Sequence, residues 1–106
     1  MHLFRPLLAA AALLLPLAGY AEDYVITLEN KVFTPAVLEI PADTKVKVTV
    51  KNRDNAPAEF ESSDLGREKV IEANGEVTIF IGPLAAGKYT YFNEFNSATT
   101  GTVVVK

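Results

Sequence analysis

The sequence contains no cysteine and no tryptophan, and its single methionine and single histidine are Met1 and His2. From residue 3 onward the chain therefore has no thiolate, imidazole or thioether group. It cannot form a disulfide, and the Ser-His and Cys-His pairs of nucleophilic catalysis are excluded. A metal ion could bind only through carboxylate, amide carbonyl, hydroxyl or water oxygens, which are ligands for hard cations.

The first 21 residues have the three-part pattern of a secretory signal peptide. Arg5 supplies a positive start, residues 6–18 are apolar, and small residues in "AGYAED" favour cleavage after Ala21. The apolar run contains Pro16 and is shorter than the roughly 20 residues of a membrane span, although an uncleaved anchor is the alternative. We therefore predict a signal peptide over residues 1–21 and a periplasmic protein with no direct membrane insertion after cleavage.

Removal of the predicted signal peptide leaves about 85 residues, which suffice for one domain and are too few for two. This domain, residues 22–106, has nine Lys and Arg against thirteen Asp and Glu, a net charge of about −4. It has no basic stripe, so nucleic acid and anionic membrane surfaces are not expected partners.

The domain alternates apolar and polar residues with the two-residue period of β-strands. In "KVKVTVKN", Val46, Val48 and Val50 point one way and the lysines and threonine the other. The segments "YVITL", "EVTIFI", "YTYF" and "GTVVVK" supply further strands, with turn signals between them. Six to eight short strands without a helical period predict an all-β fold, an antiparallel Greek-key β-sandwich.

Two long segments, "FTPAVLEIPADTKVKVTVKNRDNAP" and "GPLAAGKYTYF", resemble the cupredoxin family, and the likeness extends over residues 24–106. In cupredoxins with the shorter copper loop, the loop reads Cys, two residues, His, two residues, Met, one residue, Gly. With Gly101 as the anchor, these ligands fall on Asn93, Asn96 and Thr99 in a predicted polar loop, and the remaining histidine falls on Ala58. A blue-copper site needs a thiolate and two imidazoles, so the resemblance implies the fold without a type-1 blue copper.

A narrower likeness lies in "APAEFESSDLGREKV" and "GPLAAGKYTYFNEFN". These segments are similar to the EfeO-type cupredoxin-like domains of bacterial periplasmic iron-uptake systems, and to small cupredoxin-like components of ferrous-iron transport. The resemblance implies an iron ion, or alternatively copper, as the bound metal. It also implies a membrane iron permease and other periplasmic iron-uptake components as partners, with participation in ferrous-iron oxidation.

The residues give an independent argument for a metal site. Glu59 and Glu61 are two apart, so on a strand their side chains project from one face. Asp64 and Glu68 are expected in a loop that bends at Gly66. The predicted polar loop with Asn93, Glu94 and Asn96, here called the final loop, is expected at the same end of the sandwich as these acidic residues. Oxygen ligands suit Fe(III), and less selectively Fe(II), Mn(II) or Ca(II). The predicted metal ligands are Glu59, Glu61, Asp64, Glu68, Asn93, Glu94 and Asn96.

Three other interpretations remain open at this point. The acidic residues could be a solvated surface with local ion pairs to Arg67 and Lys69, and the two asparagines could simply form turns. The domain could be a metal-free interaction module that docks a periplasmic partner through Phe92 and Phe95. No autonomous catalytic constellation is visible, so an enzyme is the weakest of the three. Phe33 and Phe60 are expected in the interior.

Overall fold

The computed structural model describes residues 23–106, and the predicted signal peptide lies outside the described residues. This part of the chain forms nine β-strands joined by short turns. In chain order they are β1 (Asp23–Glu29), β2 (Val32–Thr34), β3 (Val37–Ile40), β4 (Val46–Asn52), β5 (Ala58–Ser62), β6 (Arg67–Ile71), β7 (Glu76–Ile81), β8 (Gly87–Asn93) and β9 (Asn96–Val105). Residues 23–106 include no helix long and apolar enough to cross a bilayer.

The strands form two sheets packed face to face, which confirms the predicted all-β sandwich. One sheet has the order β2-β1-β4-β7 and the other β3-β9-β8-β5-β6. Each sheet contains one parallel pair, β1 with β4 and β3 with β9, so both are mixed rather than purely antiparallel. The parallel pairs arise because the chain passes from the first sheet to the second after β2 and returns at β4, beside β1.

The core lies between the sheets and follows the alternation seen in the sequence. Val46, Val48 and Val50 are buried on β4, and the lysines between them face outward. Phe33 and Phe60 are buried as expected. Each fully buried side chain of this size contributes about 1.5–3 kcal/mol by leaving water. Since no disulfide exists, this burial is the main source of stability.

The final loop differs from its prediction. The segment expected to be a polar loop between two strands is mostly strand, because β9 already begins at Asn96. Asn93 pairs with Asn96, and only Glu94 and Phe95 form the turn, with a register irregularity between Phe92 and Asn93. The threonines of this segment have high β-propensity and extend the ladder with β8.

One end of the sandwich, here called the apex, carries three turns: Asn30–Lys31, residues 53–57, and Glu94–Phe95. Asp54 ties two of them together, because its carboxylate accepts hydrogen bonds from the backbone N–H groups of Asn30 (2.7 Å) and Lys31 (3.0 Å). Both of these residues have left-handed backbone conformations. The charged acceptor therefore stabilises a left-handed turn that asparagine tolerates but lysine rarely adopts.

Candidate functional site: a carboxylate cluster on the outer face

Strand β5 places two glutamates on the solvent-exposed face of the five-stranded sheet, which we call the outer face. Ala58, Phe60 and Ser62 are buried, so Glu59 and Glu61 between them point outward and are partly exposed. On the neighbouring strand β6, Glu68 lies directly opposite Glu61. Directly opposed residues of an antiparallel pair have their side chains on the same face.

These three glutamates form a compact group, here called the carboxylate cluster. One carboxylate oxygen from each of Glu59, Glu61 and Glu68 lies within 4.8 Å of the other two. Oxygen ligands at about 2.1 Å from a cation are at most about 4.2 Å apart. Small rotamer adjustments of these exposed side chains would therefore bring all three oxygens to a single ion.

The cluster has no basic partner within the described part of the chain. The one ion pair among residues 23–106 joins Lys106 to Glu39, at 3.2 Å, and neither residue belongs to the cluster. The Arg67 guanidinium instead donates hydrogen bonds to the backbone oxygens of Phe80 and Gly66. The ion pairs considered as an alternative explanation for this acidic segment are therefore absent among residues 23–106.

Desolvation, together with the neighbouring like charges, raises the pKa of two cluster members. Partial desolvation raises the pKa of the Glu59 carboxyl most, followed by a hydrogen bond with Glu68 and repulsion from Glu68 and Glu94. Partial desolvation also raises the pKa of Glu61 most, followed by repulsion from Glu68 and a hydrogen bond with it. A cation bound between these groups would remove the repulsion that favours their protonated forms.

Glu94, another of the metal ligands predicted from the sequence, lies beside the cluster on the β8–β9 turn. Its charge is close enough to raise the pKa values of both Glu59 and Glu61. Its backbone N–H donates to the Glu59 carbonyl oxygen at 2.9 Å. Two segments distant in sequence therefore supply carboxylates to one region.

The remaining three candidates lie outside the cluster. Asp64 accepts hydrogen bonds from the Thr90 backbone N–H (2.9 Å) and hydroxyl (3.1 Å). Asn93 is buried on the inner side of the sheet opposite Phe60, and Asn96 lines a cleft at the apex. The structure does not bring these three side chains together with the glutamates.

The apex cleft, of about 680 Å³, lies where the sequence resemblance placed the copper-ligand positions Ala58, Asn93 and Asn96. Its walls include Leu28, Pro57, Ala58, Asn93, Phe95 and Asn96. Ala58 has no donor atom, and the Asn93 Oδ1 atom already accepts two backbone hydrogen bonds, from Glu59 (2.9 Å) and Phe95 (3.1 Å). The Thr99 hydroxyl donates to the Lys31 carbonyl oxygen. These residues do not fit a type-1 copper ion, which requires a thiolate that the chain lacks.

One feature of the cluster escaped prediction from the sequence, namely the direct pairing of Glu61 with Glu68. Glu68 was expected in a loop but lies on β6, whose short "REKVI" segment is too highly charged to stand out as a strand. The β-branched residues at its end, Val70 and Ile71, were the available signal. The turn at Gly66, with a positive φ of 64°, returns the chain onto β5 and creates this pairing.

Solved structures define the class to which this architecture belongs. The reduced form of an amicyanin proline-to-phenylalanine variant matches with a TM-score of 0.67 and 21% identity, over 84% of this chain and 88% of that one. The Cu(I) form of an amicyanin methionine-to-alanine variant matches with a TM-score of 0.67 and 20% identity, over the same shares of the two chains. The likeness establishes a cupredoxin-like fold.

The sequence itself places the chain within a family. Residues 6–105 match the profile of the cupredoxin-like domain, and the chain belongs to that family. It is also 37% identical over 81 residues to an uncharacterised protein of Rickettsia prowazekii (strain Madrid E). That match covers 76% of this chain and 65% of the relative's length, so the relative extends well beyond the shared region.

Proposed function

We propose that this cupredoxin-like protein binds iron on its outer face, through Glu59, Glu61 and Glu68, with Glu94 as a neighbouring carboxylate. The observation that carries the proposal is the approach of three carboxylate oxygens to within 4.8 Å of one another without a basic partner in residues 23–106. Like charges held this close destabilise the metal-free protein, and a cation offsets that cost.

The chemistry of the ligands favours a hard ion. An all-oxygen shell suits Fe(III) better than Fe(II), so binding to it eases the loss of an electron from bound Fe(II) to an acceptor supplied elsewhere. Copper(II) could bind weakly through oxygen, but the chain has no nitrogen or sulfur ligand to favour it beyond Met1 and His2. The likeness to EfeO-type domains supports a place in periplasmic iron uptake, with delivery to a membrane permease.

Metal titration of matched variants tests this function. Purified protein is titrated anaerobically with Fe(II), and separately with chelated Fe(III) and with Cu(II), by isothermal titration calorimetry. We expect iron to bind the wild type, and Glu59→Gln, Glu61→Gln and Glu68→Gln each to weaken the affinity about 10-fold or more, because each removes a charged ligand. Metal analysis of protein isolated from the periplasm identifies the ion carried in the cell.

Glu76→Gln is the matched control, because Glu76 is an exposed glutamate on β7 of the other sheet. It should bind iron as the wild type does. Absence of iron binding by the wild type would refute the proposal, and so would equal weakening by Glu76→Gln.

The apex supports a second candidate, a metal-free interaction module. Phe95 is 55% exposed at the rim of the apex cleft, where its ring is accessible to a partner. Phe92 instead lies on the outer face, opposite Glu61. If this candidate is correct, a periplasmic partner captured by the wild type is lost with Phe95→Ser and retained with Glu61→Gln, and capture is independent of iron.

A further inference from the structure

Asn93 occupies the position that corresponds to the copper-binding cysteine, and it makes an unusual connection to the carboxylate cluster. It is buried, with 7% of its surface exposed, and its Oδ1 atom accepts hydrogen bonds from the backbone N–H groups of Glu59 and Phe95. A single side-chain oxygen thus joins the start of β5 to the β8–β9 turn.

The backbone of Glu59 depends on this turn for both of its hydrogen bonds. Its N–H donates to Asn93 Oδ1, and its carbonyl oxygen accepts from the Glu94 N–H, at 2.9 Å each. The N–H and C=O groups of one strand residue point to the same side, so the neighbouring strand β6 does not satisfy them. The regular ladder between β5 and β8 covers only Phe60–Asn93 and Glu61–Phe92, and the Asn93 side chain extends it by one residue.

The two halves of the cluster are consequently held by different means. The β5–β6 ladder fixes Glu61 opposite Glu68 without any help from the turn. Glu59 and Glu94 are fixed relative to that pair through the hydrogen bonds made by Asn93 and by the backbone of Glu94. Since the Asn93 side chain lies on the inner side of the sheet, it has no access to an ion on the outer face.

We propose that Asn93 is a positioning residue for the iron site, holding Glu59 and the turn of Glu94 in register with Glu61 and Glu68. The inference rests on the proposed function and deepens it. At the position that corresponds to the copper-binding cysteine, the Asn93 amide oxygen lies on the inner side of the sheet. From there it stabilises the carboxylate cluster on the outer face of the same strands. Hydrogen-bonded residues behind the ligands of a metal site commonly tune affinity by orienting those ligands.

Three variants test the role of Asn93. Asn93→Ala removes the acceptor and should weaken Fe(II) binding about 10-fold, as measured by anaerobic calorimetry. Amide hydrogen exchange at Glu59 and Phe95 should accelerate in the same variant. Asn93→Asp keeps an oxygen acceptor at this position and should restore both the affinity and the slow exchange. If Asn93→Ala does not fold, the near-isosteric Asn93→Leu replaces it, with the same expected loss.

Thr99→Val is the matched control. Thr99 is also buried at a former ligand position and hydrogen-bonds to a backbone oxygen at the apex, but its partner is Lys31 rather than Glu59. It should leave Fe(II) affinity and Glu59 exchange unchanged. If the wild type binds Fe(II) and Asn93→Ala matches Thr99→Val, the positioning role is wrong while the iron site stands. If the wild type binds neither Fe(II) nor Fe(III), both proposals are wrong.

Discussion

At the scale of single residues, Tyr91 shows how tightly the core is packed beneath the outer face. Its ring stacks on Phe60, with centroids 4.6 Å apart, and meets Phe33 edge to face at 4.9 Å. Gly101 lies directly opposite on β9, and a Cβ atom there would collide with the Tyr91 ring. The glycine that anchored the loop motif in the sequence is therefore required for core packing, independently of any metal.

The Tyr91 hydroxyl is buried and lacks a hydrogen-bond partner among the described residues, and burial raises its pKa. An unsatisfied buried hydroxyl costs about 1–3 kcal/mol. We therefore expect Tyr91→Phe to increase the free energy of unfolding, measured by urea denaturation, by about 1 kcal/mol.

Tyr89→Phe provides the contrast, because the Tyr89 hydroxyl donates to the Ala85 carbonyl oxygen at 2.8 Å. It should be neutral or destabilising by up to about 1 kcal/mol. A loss of stability in Tyr91→Phe equal to that in Tyr89→Phe would show that the Tyr91 hydroxyl has a partner in solution.

At the scale of structural elements, the β5–β6 pair contributes to the pH dependence of stability. The pKa values of Glu59 and Glu61 are raised, so these groups bind protons more tightly in the folded protein than in the unfolded chain. Protonation therefore favours folding. The stabilisation is complete below the ordinary glutamate pKa of 4.5 and is lost as the pH rises through the raised values of the folded state.

Glu61→Gln removes one of these charges and should make the metal-free protein more stable than the wild type at pH 7. The difference in Tm between variant and wild type should shrink as the pH falls toward about 4.5, because the wild-type carboxyls then become protonated. Thermal unfolding followed by circular dichroism from pH 4 to 8 measures it. A difference that does not change with pH would show that the cluster is not electrostatically strained.

The apex turns form a second structural unit, held together by polar side chains. The buried Asn52 amide donates to the carbonyl oxygens of Ala56, Ile71 and Glu72, and its Oδ1 atom accepts from the Asp54 N–H. Asp54 in turn holds the Asn30–Lys31 turn. One buried asparagine thereby connects β4, β6 and the loop that lines the apex cleft.

At the scale of the whole molecule, the apex cleft and the carboxylate cluster are distinct regions on opposite faces of β5. Ala58 faces the cleft and Glu59 faces outward, one residue apart. The cupredoxin-like fold is retained, while the donor atoms of a copper site are absent from the cleft and oxygen donors gather on the outer face. The two proposed functions therefore involve different surfaces and can be separated by mutation.

This separation predicts how the protein responds to copper. Adding Cu(II) to the purified wild type should produce no intense blue absorption in the visible spectrum, because that band requires a bound thiolate and the chain has no cysteine. A protein with an established type-1 copper site, treated in parallel, is the positive control. An intense blue colour in the wild type would contradict the assignment of the apex as a site unable to hold type-1 copper.

The sequence by itself determined the local structure and the available chemistry. Alternation around Val46, Val48 and Val50 predicted β4 and its buried face, and the lack of cysteine restricted metal ligands to oxygen. It also placed Glu59 and Glu61 on one face, since the side chains of a strand alternate with a period of two. These properties depend only on neighbouring residues and composition, so no tertiary contact is needed to infer them.

Only the tertiary structure decided which distant residues meet. The pairing of Glu61 with Glu68, the two-residue turn at Glu94 and Phe95, and the parallel strand pairs depend on register. Register is set by burial of one face of each strand against the opposite sheet, a property of the whole sandwich. For the same reason Asn93, expected at a metal site, faces the interior and instead holds the backbone that presents Glu59.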